Sequence, residues 1–364
     1  MNPVNKTLLW TILGLLAFGL LSLSSASSVV SLKEHGNNYW YFTRQLLQGA
    51  LPGLILMYLL SRIDYHIWQK FAPVLMFLGI GMLVAVFLNG VGFTTGGATR
   101  WINFRVFLFQ PAEFMKLAII IYLASWYDKR QQHVHDLYYG FLPTLTIVGV
   151  ASVLIIMQPD LGTMLVLIAI ASIMFFLGGV RLKYLLTTAA LASVALWVLV
   201  KAAAYRTHRL LAFFNPDVDA QGISYQINQA LLAIGSGGLW GRGFGRSIQK
   251  QNYLPEAIGD SIFAVIAEEM GFIRAGAFLL GFLFLAYKGY QVALKAPDVF
   301  GKLVAAGITS WIVVQALINI GGITKVIPLT GIPLPFTSYG STAMALNLAA
   351  LGILLNISRF ATNK

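Results

Sequence analysis

The sequence predicts an all-α polytopic membrane protein, and three observations carry that expectation. Hydrophobic residues make up 58% of the 364-residue chain. Charged residues make up only 10%, where soluble domains have about 25%. Apolar runs of about 20 residues recur along most of the length, each long enough to cross about 30 Å of hydrocarbon.

About ten transmembrane helices are expected, near residues 8–31, 42–61, 71–90, 111–127, 138–157, 161–179, 184–203, 261–287, 302–326 and 340–358. The first has a lysine, an apolar stretch and then small residues, as a signal peptide would. Its apolar character continues through Val29, Val30 and Leu32, so an uncleaved span is expected. Lys6, Arg62, Lys70, Lys129, Arg130, Arg181, Lys183, Lys288, Lys295, Arg359 and Lys364 fall at one set of span ends. The other ends carry Lys33, Arg44, Arg100 and Arg105. The excess of basic residues places both termini in the cytoplasm. One connection is out of scale: the large extracytoplasmic loop of about 204–260, before the eighth span. Within it, Ile227, Leu231 and Ile234 recur at helical spacing, which predicts a helix lying in the membrane interface. The whole chain, 1–364, reads as a single integral membrane domain.

The chain has no cysteine, which excludes disulfides and thiolate metal sites. The five histidines lack zinc-site spacing. A formal charge of +12 suits an anionic lipid surface or anionic lipid head groups. No soluble basic domain exists to hold nucleic acid.

The topology gathers polar segments on the outer face: 97–116, 157–162, 254–260 and 330–341. Each leads into a descending span, and helix N-termini there offer free N–H groups to anions. Glu113 and Lys116, spaced i, i+3, share a helix face one turn inside the membrane. Ionisable groups at that depth pair with one another or line a cavity, and both readings stand. Arg100, beside Trp101, is a phosphate ligand or an interfacial anchor. Asp160 follows Gln158–Pro159 as a helix cap. The run "GSGGLWGRGFGRS" lacks the strand of a dinucleotide fold. Its Arg242 and Arg246 leave two readings, an anion nest or a plain mobile loop. Asp260, at the mouth of the eighth span, is either a helix cap or a general base whose low-dielectric setting suits proton transfer. Glu268 and Glu269, deeper in that span, are expected to pair with basic residues of other spans.

These segments together resemble the SEDS family (shape, elongation, division and sporulation): "GATRWINF…FQPAEFMKLA", "QPDLGT", "YQINQALLAIGSGGLWGRGFG", "YLPEAIGDSIFAVIAEEMGFI" and "TGIPLPFTSYGSTAMALNLAALGILLNISR". The resemblance runs over essentially the whole chain and is nearer the cell-division branch than the elongation branch. It implies a peptidoglycan glycosyltransferase that polymerises lipid II on the outer face of the bacterial cytoplasmic membrane. It places the family's aspartate, in a P-E-x-x-x-D block, on Asp260. Arg100, Trp101, Gln110, Glu113, Lys116, Arg242, Arg246, Glu256 and Ser338 become candidate substrate contacts. A class B penicillin-binding protein is the implied partner, with lipid II and membrane lipid as ligands. A divalent cation, Mg or Mn, is an implied cofactor whose ligands the sequence leaves open. Ile258, Gly259 and Ser261 stand where family members often have His, Thr and Phe. A lipid II flippase and a non-catalytic division scaffold are the alternative readings.

Overall fold

The structure is a computed structural model that describes residues 4–361 apart from 96, 202–206, 208–212 and 215–221. Part of the expected 204–260 loop, with His208, therefore lies outside the described residues. The chain is an all-α polytopic membrane protein, and over the described residues each of the ten expected spans overlaps one or more helices. In chain order the helices are α1 (Lys6–Ala26), α2 (Ser28–His35), α3 (Trp40–Gln45), α4 (Leu51–Arg62), α5 (His66–Ala85), α6 (Pro111–Lys129), α7 (Leu142–Met157), α8 (Leu161–Leu177), α9 (Leu182–Lys201), α10 (Ile223–Ser236), α11 (Ile262–Lys295), α12 (Val299–Ile323) and α13 (Ser341–Phe360). Among the described residues, six of the helical segments are long and apolar enough to span a bilayer.

A π-helical turn, Leu46–Ala50, joins α3 to α4 into one rod just ahead of Pro52, whose ring cannot donate to the helix ladder. The rod packs on α13 through glycines. A Cβ on Gly53 would lie 2.7 Å from Leu348 Cδ1, and one on Gly352 would lie 2.6 Å from the Met57 carbonyl. Such close backbone approach is how helices associate where burial from water gives no drive. Helices α6, α12 and α13 form the centre and are buried along most of their length. They are also the helices with polar residues inside their apolar runs.

The span expected at 261–287 is not one continuous helix. Gly271 (φ 78°, ψ 174°) breaks α11 into 262–270 and 272–295. The second piece is about 36 Å long, enough by itself to cross the hydrocarbon. Glu268 and Glu269 thus belong to a separate short segment ahead of that piece. The glycine loop patches the break. The Arg242 and Gly243 amides donate to the Glu268 and Glu269 carbonyls at 3.0 and 2.9 Å. The freed Phe272 and Ile273 amides donate to the Gly238 and Leu239 carbonyls at 2.8 and 3.2 Å. Every broken helix bond named here is replaced, as burial demands.

The segment before α6 carries an antiparallel sheet that the span pattern did not predict: β1 (Gly92–Thr95), β2 (Ala98–Asn103) and β3 (Leu108–Phe109), in that order. Gly97 (φ 75°) supplies the left-handed residue of the β1–β2 turn. Helix α10 forms where predicted and packs on α11, burying Ile227, Ala230 and Ala233 while Leu231 stays exposed.

Candidate active site

The four polar segments meet. Arg100 donates to the Gln158 carbonyl at 3.2 Å and to the Pro159 carbonyl, linking 97–116 to 157–162. Gly162 lies against the Thr330 carbonyl, where a Cβ would stand 2.6 Å away, so 157–162 touches 330–341. Thr342 Oγ1 donates to the Leu108 carbonyl at 2.8 Å. Ser338 Oγ donates to the Gly259 carbonyl at 2.6 Å, and the Tyr339 amide donates to the Ile258 carbonyl at 2.8 Å.

Asp260 ends the turn 256–260, closed by the Gly259 and Ser261 amides on the Glu256 carbonyl. Asn319 Nδ2, from α12, donates to the Asp260 carbonyl and to the Ile332 carbonyl, each at 2.8 Å. Gln226 Nε2, from α10, donates to Asp260 Oδ1 at 3.0 Å and to Ser261 Oγ at 2.9 Å. The N-cap of α11 is Ser261, without a side-chain capping bond. The half-buried Asp260 carboxylate therefore faces α10; α12 fixes its carbonyl, α10 fixes one carboxylate oxygen, and the 338–339 loop fixes the two residues before it. By contrast, Asp160 caps α8 through the Thr163 amide at 3.1 Å.

Beneath this clamp lies a buried polar spine. Lys116 Nζ pairs with Glu113 Oε1 at 2.7 Å and donates to Gln315 Oε1 at 2.7 Å. Trp311 Nε1 donates to the same Gln315 oxygen at 2.9 Å, and its ring lies 5.0 Å from the Lys116 ammonium. Gln315 Nε2 in turn holds the Pro333 carbonyl at 3.0 Å. Gln315 and Asn319 are one turn apart on α12, so a single helix face joins the ion pair to the Asp260 turn.

The other candidate contacts are placed as follows. Glu113 and Lys116 are each 1% exposed and sealed inside the bundle. Ser338 is buried, and its hydroxyl also accepts from the Leu334 amide at 2.8 Å. It therefore holds the loop instead of standing open to a ligand. Gln110 donates to Asp160 Oδ2 at 3.4 Å, and Arg100 lies 4.0 Å from that oxygen. Trp101 is half-buried on β2, paired with Phe93. Arg242 faces Glu268 at 3.6 Å and donates to the Ser236 carbonyl. Arg246 and Glu256 are exposed. The glycine loop thus serves the helix break, where an anion nest was one expectation. Glu269 pairs at 2.7 Å with Lys250, a residue of the loop before α11 where one from another span was expected, and Ser25 Oγ donates to Glu269 at 2.8 Å. Glu268 accepts from Ser247 Oγ at 2.5 Å and from the Ile248 amide at 3.0 Å.

Gln45, Gln226, Gln315 and Asn319 were not among the sequence candidates, although each is a polar residue inside or beside an apolar helix. Among the described residues no three His, Asp or Glu side chains gather as metal ligands. A divalent cation would find no ready protein cage there.

Buried ion pairs, a helix broken at Gly271 and a polar clamp at one end define a multi-pass membrane protein with a built site. The chain matches the FtsW/RodA/SpoVE family, described as cell cycle proteins, over residues 6–363, and it belongs to that family. It is 41% identical to stage V sporulation protein E of Bacillus subtilis (strain 168) over 346 residues, covering 95% of this chain and 94% of that one. It is 39% identical to the probable peptidoglycan glycosyltransferase FtsW of Trichlorobacter lovleyi, covering 96% and 92%. Its fold matches a chain of a solved peptidoglycan synthase complex with a TM-score of 0.79, at 24% identity and 99% coverage of each.

Proposed function

We propose that this protein is a peptidoglycan glycosyltransferase that polymerises lipid II on the outer face of the bacterial cytoplasmic membrane, in septal wall synthesis. The observation that carries the reading is the clamp on Asp260. Its backbone is fixed by Asn319, its neighbours by Ser338 and Tyr339, and its Oδ1 by Gln226. A carboxylate held this firmly is pre-organised for proton transfer. Relatives named as peptidoglycan glycosyltransferases support the activity.

In the proposed reaction Asp260 takes the proton from the 4-hydroxyl of the acceptor GlcNAc. That oxygen attacks the anomeric carbon of the donor MurNAc with inversion, and undecaprenyl diphosphate leaves. The departing diphosphate gathers negative charge, which cations and helix N-termini offset. The Glu113–Lys116–Gln315 spine supports the 330–341 loop from below. A class B penicillin-binding protein is the proposed partner, in keeping with the solved peptidoglycan synthase complex. The ten helical segments are proposed to cross the membrane with both termini inside, which puts Asp260 outside.

The test is the purified protein, alone and with its partner, supplied with lipid II and read for glycan strands. Strands are expected. Their absence in both arms, with lipid II crossing the bilayer instead, would favour the flippase.

A further inference from the structure

The transfer proposed above must hold a diphosphate, yet among the described residues the basic candidates Arg100, Lys116 and Arg242 are committed elsewhere. Arg100 serves the Gln158 and Pro159 carbonyls, Lys116 serves Glu113 and Gln315, and Arg242 faces Glu268. Arg246 is exposed but stands on the loop that patches Gly271.

Arg44 is in a different position. It is exposed, and no carboxylate of the described residues lies within ion-pair distance of it. Its guanidinium carbon sits 4.6 Å over the Trp40 ring. His35 stacks on the same indole at 3.5 Å, so Trp40 acts as a support for Arg44 and not as an open stacking surface. The neighbouring Tyr41 meets the Tyr339 ring edge-on at 4.9 Å, with its hydroxyl on Glu34 at 2.5 Å. Burial pushes the Tyr339 hydroxyl pKa upward, and the Arg44 guanidinium beside it pulls partly the other way.

The next residue ties this group to the clamp. Gln45 is buried; it donates to the Ser338 carbonyl at 3.3 Å and accepts from the Gly340 amide at 3.0 Å. Between those two contacts lies Tyr339, whose amide holds the Ile258 carbonyl. Arg44 is therefore fixed by adjacent residues to the same loop that fixes Asp260.

We propose that Arg44 binds the diphosphate of the lipid-linked substrate beside the Asp260 turn. A guanidinium laid on an indole, with one N–H toward the Tyr339 hydroxyl, keeps further edge N–H groups for a ligand, and these match phosphate oxygens in pairs. Orientation before binding reduces the entropy lost when the ligand arrives. The inference rests on the glycosyl-transfer reading.

The test uses full-length Asp260→Asn protein in nanodiscs, so that no turnover is needed. Binding of farnesyl diphosphate and farnesol is measured with and without Arg44→Gln, and with Arg44→Lys as a second variant. Arg44→Gln is expected to weaken farnesyl diphosphate about tenfold or more and leave farnesol unchanged. Arg44→Lys is expected to fall between, because it keeps charge and loses the fork. Unchanged diphosphate binding, or an equal loss for farnesol, would overturn the proposal. So would phosphatidylglycerol competing as well as farnesyl diphosphate, which would mark a general anionic-lipid site. Arg44-dependent binding, beside a wild-type protein that makes no glycan from lipid II alone or with its partner, would sink the transferase reading alone.

Discussion

Asn319 Nδ2 donates to the Asp260 carbonyl at 2.8 Å and to the Ile332 carbonyl at the same distance. One buried amide thus joins the turn carrying the candidate base to the loop that descends into α13. Asn319→Leu would leave two carbonyls without donors. Unsatisfied buried groups cost about 1–3 kcal/mol each. We expect a lower melting temperature and at least tenfold slower glycan synthesis, with Asn319→Asp equally poor because a carboxylate cannot donate. Thermal unfolding and polymerisation rates of the purified variants check both.

The Glu113–Lys116 pair lies almost wholly out of solvent. Removing one member of a buried pair is expected to destabilise by about 3–5 kcal/mol, because it strands the other charge. Lys116→Met and Glu113→Gln should each show this, and the double variant should lose less than their sum. Additive losses in a double-mutant cycle would contradict the coupling.

Gly271 has φ 78° and touches the Gly241 amide, so Gly271→Ala meets both backbone strain and main-chain atoms. Gly241, at φ 81°, lies against the Glu269 carbonyl. Either alanine variant should unfold at lower temperature and lose most activity. Gly14→Ala, with nothing within 4 Å, is the matched control and should behave as wild type.

A pH effect follows at the opposite end of the bundle. Burial tends to raise the Asp64 pKa, but hydrogen bonds from the His66 amide and ring, and the ring's charge, outweigh it and bring the pKa below its ordinary 3.8. A lowered folded-state pKa means stability that is present above the ordinary value and lost as pH falls through the lowered one. Asp64→Asn should melt below wild type near neutral pH, by a small margin because the side chain is 52% exposed. The gap should close as pH drops under the lowered pKa.

Much of this architecture was legible in the chain. Apolar run length located the helices, and the i, i+3 spacing of Glu113 and Lys116 put both on one helix face. Topology alone brought the four polar segments to one face. The rest depended on partners far away in sequence. Nothing local in "MGF" says that a helix breaks at Gly271, because the break becomes tolerable only when residues 238–243 supply replacement bonds. Gln315 and Asn319 stand visibly polar in an apolar run, but their work is to hold the Pro333, Ile332 and Asp260 carbonyls, which only folding reveals. The β1–β3 sheet escaped because its strands are short and follow a helix-length apolar pattern.

The central claim is that the Asp260 carboxylate removes the acceptor's proton. Lipid II polymerisation by wild type and by Asp260→Asn, each shown to melt normally, is its most direct measurement. The account predicts glycan strands from the first and essentially none from the second. Strands of equal yield from both would contradict it.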